Sequence, residues 1–97
     1  MRSGQKVEFE GSLVILGDVN DGAEVIAGEN IIVLGDLRGL AHAGAKGNKE
    51  AIIAASSIEA PQLRISNIIK EREREEILES TQKTYAYVDA DGKMELE

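Results

Sequence analysis

At 97 residues the chain has room for one domain, and with no cysteine it carries neither a disulfide frame nor a thiolate metal site. Its 18 acidic and 11 basic residues leave a net charge of −7, which disfavours nucleic acid, whose affinity rests on phosphate neutralisation by Lys and Arg. No apolar run approaches the roughly 20 residues of a membrane span and nothing reads as a cleavable signal, so a cytoplasmic location is expected.

The chain opens with Arg2-Ser3-Gly4-Gln5, a turn-forming tetrapeptide ahead of a first strand, Lys6-Val7-Glu8-Phe9-Glu10. Met1-Arg2 is compatible with an engineered start inside a longer protein. Next comes internal repetition. Gly11-Ser12-Leu13-Val14-Ile15-Leu16-Gly17-Asp18-Val19 matches Glu29-Asn30-Ile31-Ile32-Val33-Leu34-Gly35-Asp36-Leu37 at a constant offset of 18. A third copy, Ile52-Ile53-Ala54-Ala55-Ser56-Ser57-Ile58, reads at an offset of 21, with the extra residues in a Gly- and Lys-containing loop at 44–50.

A finer beat of six runs through Leu13, Val19, Val25, Ile31, Leu37 and Ala43, all apolar. Three such units make one coil, so each coil should be a triangle of three short sides. Gly17-Asp18, Asn20-Asp21-Gly22, Gly28-Glu29-Asn30 and Gly35-Asp36 fall at its corners. The apolar fraction of 42% with only 3% aromatic residues gives a core of Val, Ile, Leu and Ala, which suits stacked strands. A helix would need apolar spacing near 3.6, which is missing here. The expected fold is all-β: a short triangular β-helix of about three coils over residues 5–65, within a core domain at 1–66. A β-sandwich or meander is the alternative, but it would not place Gly-Asp at a fixed offset.

Successive strand residues point to opposite faces. With Leu13 and Ile15 turned inward, Val14 and Leu16 point outward, followed on the next coils by Ile32 and Leu34, then Ile53 and Ala55. Stacked about 4.8 Å apart, these six form an apolar patch of a kind monomers seldom expose. A two-fold homodimer through this face is the expected cover, and a folded-back C-terminal helix the competing one.

The remainder, residues 67–97, reads as a charged helix and a hairpin tail. Ser66-Asn67 offers an N-cap to Ile68-Ile69 and the run Lys70-Glu71-Arg72-Glu73-Arg74-Glu75-Glu76-Ile77-Leu78. Such a run is usually a solvated face. Thr84-Tyr85-Ala86-Tyr87-Val88 and Lys93-Met94-Glu95-Leu96 flank Asp89-Ala90-Asp91-Gly92, a hairpin signal. Asp-x-Asp-Gly also begins like a calcium loop, but no acid stands at the twelfth position, so the turn reading is preferred and no metal or cofactor is expected. Nor is a catalytic residue: Ser3 has only His42 as a conceivable base, and no motif joins them.

Arg2-Ser3-Gly4-Gln5, the stretch Gly-Ala-Glu-Val-Ile-Ala-Gly-Glu-Asn-Ile-Ile-Val-Leu-Gly at 22–35, and Leu-Arg-Gly-Leu-Ala-His-Ala-Gly-Ala at 37–45 resemble the C-terminal domain family of the septum-site-determining protein MinC. The resemblance covers residues 2–69. It implies a right-handed β-helix that dimerises through one sheet and binds the membrane-associated ATPase MinD. Arg2, Ser3, Gly4 and Gln5 match the family's MinD-binding motif, and Gly22, Arg38 and Gly39 match positions on or near that surface. Some members carry a second basic residue after the Arg-Gly pair, where this chain has Leu40. The family's division inhibition is directed against FtsZ, reached directly or through an N-terminal domain that this chain lacks. The implied role is that of a bacterial cell-division inhibitor domain, held to the inner membrane face only through MinD.

Two rivals share the repeat. Hexapeptide acyltransferases, which bind acyl-coenzyme A and use a catalytic His, would need His42, and three coils make a prism only about 15 Å tall. A polymer-forming β-helix scaffold is the other.

Overall fold

The computed structural model describes residues 1–79 and 82–97. Among these residues ten strands lie in two sheets, the first seven alternating between them: β1 (Lys6–Phe9), β2 (Leu13–Leu16), β3 (Glu24–Ala27), β4 (Ile31–Leu37), β5 (Leu40–Ala43), β6 (Ile53–Ile58), β7 (Gln62–Ile65), β8 (Ile68–Glu71), β9 (Tyr85–Val88) and β10 (Met94–Leu96). One short helix, α1 (Arg74–Glu79), lies between β8 and β9. The first sheet has the order β1-β3-β5-β7-β8 and the second β10-β9-β6-β4-β2. Within the coils every pairing is parallel, so the chain winds as a β-solenoid.

The repeat of 18 is the stacking register. Lys6 pairs with Glu24, Leu13 with Ile31, and Val19 bridges to Leu37. Val19, Leu37 and Ile58 form the third side, a buried column with little strand pairing. On the six-residue beat Val19, Val25, Ile31, Leu37 and Ala43 are fully buried, and Leu13, at the open end of the stack, is partly so. Polar side chains tie the corners from coil to coil. Ser12 Oγ accepts from Asn30 N (3.1 Å), Asn30 Oδ1 accepts from Ile52 N (2.9 Å), and Asp18 Oδ1 accepts from Asp36 N (2.7 Å).

The third coil departs from the sequence reading by one residue. Ile31 pairs with Ile53, an offset of 22, whereas Leu37 pairs with Ile58, an offset of 21. A bulge between Val33 and Asp36 absorbs the difference. Because side chains alternate with period two, that slip inverts the third rung. Ile53 and Ala55, expected outward, are buried in the core, and Ala54 and Ser56 take the outer face.

The helix expected from Ser66-Asn67 onward is also corrected. Ser66, with φ at 58°, and Asn67 form a tight turn, and β8 returns antiparallel to β7, pairing Ile65 with Ile68 and Gln62 with Glu71. The free edge of β7 offers more to Ile68–Glu71 than their own helix propensity does. Only the last part of the charged run, α1, is helical. Between them the buried Arg72 closes the end of the third side, donating from Nη1 to the Ile58 carbonyl at 2.9 Å, while its amide donates to that of Pro61. Burial lowers its pKa, and Glu76 opposes that shift.

The hairpin reading holds. β9 and β10 pair antiparallel, with Val88 opposite Met94, and β9 adds antiparallel to β6. Ala86 and Met94 join the core. Asp89 makes the turn: its Oδ1 accepts from the amides of Asp91 (2.9 Å) and Lys93 (3.0 Å). Those bonds, the Lys93 amide first, hold its carboxyl below the usual 3.8.

Two outcomes follow. Ile53→Ala should cost about 2–5 kcal/mol in denaturant unfolding, whereas a loss below about 0.5 kcal/mol, typical of surface substitutions, would contradict its inward placement. Asp89 has a lowered folded pKa, so its contribution is present above the unfolded value and fades as pH falls through the folded one. The protection of the amides at residues 89–93, taken against their intrinsic exchange rates, should therefore fall on acidification through that range, and Asp89→Ala should abolish the dependence.

Candidate functional site

Residues 2–5 form a tight turn at the top of one corner. Gln5 N donates to the Arg2 carbonyl at 3.1 Å, and Arg2 N donates to Gln5 Oε1 at 2.5 Å. The turn lies on the coil beneath it, Gly4 N donating to the Gly22 carbonyl (3.0 Å) and Glu24 N to that of Gln5 (2.9 Å). Residues 20–23 are a second turn, closed by Ala23 N to the Asn20 carbonyl (3.0 Å), with Gly22 at φ +83°. That positive φ favours glycine, and a Cβ there would stand 2.4 Å from Ser3 Oγ, which would have to rotate away.

Arg38-Gly39 lies on the next level. Both amides donate to the Val19 carbonyl, and a Cβ on Gly39 would meet the carbonyls of Ala23 and Asn20 at 2.4 and 2.6 Å. Arg38 stands among three carboxylates: Asp36 at 2.8 Å, Glu59 at 3.7 Å and Asp18 at 4.0 Å. With its side chain 37% exposed, these pairs contribute little stability. Their effect is to hold the guanidinium in place. All seven residues singled out in the sequence, Arg2, Ser3, Gly4, Gln5, Gly22, Arg38 and Gly39, thus meet on three stacked levels of one corner. The orienting carboxylates were not anticipated, although the recurring Gly-Asp dipeptide supplies two of them.

The second surface is the outer face of the second sheet. Val14, Leu16 and Leu34 are exposed, Leu16 at 81%, and Ile32 is half-buried beside them. Val14 pairs with Ile32, Ile32 with Ala54, and Ala54 with Tyr85, so one outer row crosses four strands. Tyr85 and Tyr87 stand with ring centroids 5.3 Å apart, and Glu97 foremost pushes the Tyr87 phenol up, keeping it protonated. These tyrosines extend the wall one strand beyond β6, where Ala54 and Ser56 stand in the outer positions expected for Ile53 and Ala55. Their only sequence signal was the period-two alternation of the hairpin strand.

His42 lies on the first sheet, where Nε2 donates to the Ser66 carbonyl at 2.8 Å. That nitrogen is therefore engaged with backbone.

The family described as septum formation inhibitor MinC, C-terminal domain, matches residues 1–97, including the tail that the sequence resemblance had not reached. The septum site-determining protein MinC of Bacillus subtilis is 46% identical over 97 residues, covering 100% of this chain and 42% of the relative. The chain therefore spans less than half of that relative's length. Among solved structures, a chain described as the MinC:MinD cell division protein complex of Aquifex aeolicus superposes with a TM-score of 0.89 at 38% identity, covering 99% of this chain and 77% of that one. On a match that runs from the first turn to the last strand, this chain belongs to the MinC C-terminal domain family of septum formation inhibitors.

Proposed function

We propose that this chain is the dimerising and recruiting domain of a division-septum inhibitor. It pairs with a second copy through the apolar face of the second sheet and binds the ATPase MinD through the corner of stacked turns. MinD then brings it to the membrane, where FtsZ assembly at the wrong sites is blocked, directly or through the rest of a full-length protein. The observation that carries this reading is the convergence of the seven motif residues on one corner. The Aquifex aeolicus relative, whose description is a complex with MinD, supports the choice of partner. Among the described residues no helix is long and apolar enough to cross a membrane, which fits attachment through a partner.

The chemistry suits binding. Arg2 presents a forked, permanently charged donor, and Gln5 a donor and an acceptor, on a turn already fixed by its own hydrogen bonds. Little ordering entropy remains to be lost on association. A dimer carries two such turns, so attachment to a MinD-covered membrane gains from effective concentration.

Arg2→Ala should weaken co-sedimentation with ATP-bound MinD on lipid vesicles by about ten-fold or more, the loss of a charge-assisted contact. Thermal unfolding should not change, and unaltered co-sedimentation would remove MinD binding from this corner. Leu34→Asp places a charge in the centre of the apolar wall, so light scattering at micromolar concentration should report a monomer. A variant that keeps the dimer mass would move the interface elsewhere.

A further inference from the structure

Among the described residues, α1 is a short helix held only lightly, by the half-buried Ile77 and the attraction of Glu76 for Arg72. Its six residues bury no side chain, and it packs against no strand in more than sparse contact. A helix of this length is not stable in water by itself. Leu78 is 71% exposed and Ile77 half-buried beside it. Glu79 at its C-terminal end lies unfavourably on the helix dipole, and the last turn has no basic residue to offset it.

The helix nevertheless sits in a particular place. A depression of about 350 Å³ is walled on one side by Asp21 and Arg38 from the corner of turns and on the other by Arg74, Ile77 and Leu78, with Glu59 and Pro61 between them. Asp21 belongs to the turn on which residues 2–5 rest, and Arg38 to the level below it. The depression is thus continuous with the corner, and the exposed leucine lies at its far rim.

We propose that α1 is a further level of the partner surface: ATP-bound MinD covers Leu78 and seats a side chain in the depression between α1 and the turns. This rests on the MinD-binding reading of the corner. Apolar contact at Leu78 fits a partner surface with an apolar projection, and the lining, Asp21 and Glu59 set against Arg38 and Arg74, calls for polar groups of both signs beside it. Covering Leu78 would also supply the burial that α1 lacks in the free chain.

The test compares Leu78→Ser with Arg2→Ala, both read by co-sedimentation with ATP-bound MinD on anionic vesicles. Hydrogen exchange across residues 74–79 is followed with and without MinD. Leu78→Ser should bind about ten-fold more weakly with unchanged melting temperature and dimer mass, and the α1 amides of the unmodified chain should become protected when MinD is added. Loss of binding by Arg2→Ala alone, with Leu78→Ser at full affinity and α1 unprotected, would overturn the extension and leave the corner intact. Full binding by both variants would overturn the corner reading and this extension together.

Discussion

Parallel stacking in register is the constraint from which the rest of this molecule follows. Each residue of one coil lies about 4.8 Å from its equivalent in the next, so whatever occurs once per coil becomes a column. A column of Leu13, Ile31 and Ile53, or of Val25, Ala41 and Leu63, is a core. A column of Ser12 and Asn30 is a hydrogen-bonded ladder down a corner. The aromatic-poor composition follows too, since β-branched and small aliphatic side chains fill a narrow prism at close packing.

The same geometry makes two surfaces of different kinds, the proposed dimer face and the proposed partner corner. On the second sheet, outward apolar residues accumulate into a wall with strand-like flatness, suited to an identical flat wall. At the corner, turns accumulate instead. A turn such as residues 2–5 would fluctuate in isolation, but here it is bonded to the carbonyl of Gly22 and lies against a turn whose positive φ at Gly22 favours glycine. Stacking thereby converts loop residues into a preorganised site with side chains on three consecutive levels.

What was legible in the sequence was whatever the stacking makes periodic. The offset of 18 gave the solenoid, the outward faces of β2 and β4, and the corner positions. The third coil was misread because its rung begins at Ile53, not Ile52, and two adjacent isoleucines give alternation no means of choosing between them. The bulge that restores the offset to 21 at Leu37 leaves no sequence signature. Residues 68–71 join two β-branched isoleucines to two helix formers, Lys70 and Glu71, and become strand because the edge of β7 is there to be paired, a fact of tertiary structure that local propensity does not contain. The three carboxylates around Arg38 come from positions 18, 36 and 59, so their convergence depends on the coil register being right.

The order of the sides fixes how the two surfaces lie relative to each other. In each coil the chain passes from the second sheet (Leu13–Leu16) to the column at Val19, turns at residues 20–23, and enters the first sheet at Glu24. The turn corner is therefore the vertex between the third side and the first sheet, opposite the apolar wall. Two copies joined wall to wall, as proposed, would carry their turn columns on opposite outer edges, where neither column would obstruct the other. The tail serves both ends of this arrangement: β9 brings Tyr85 and Tyr87 to the wall, while α1 stands beside the turns. Closing the free edges of two sheets and extending both surfaces are thus done by elements of the same C-terminal segment, β8 to β10 and α1.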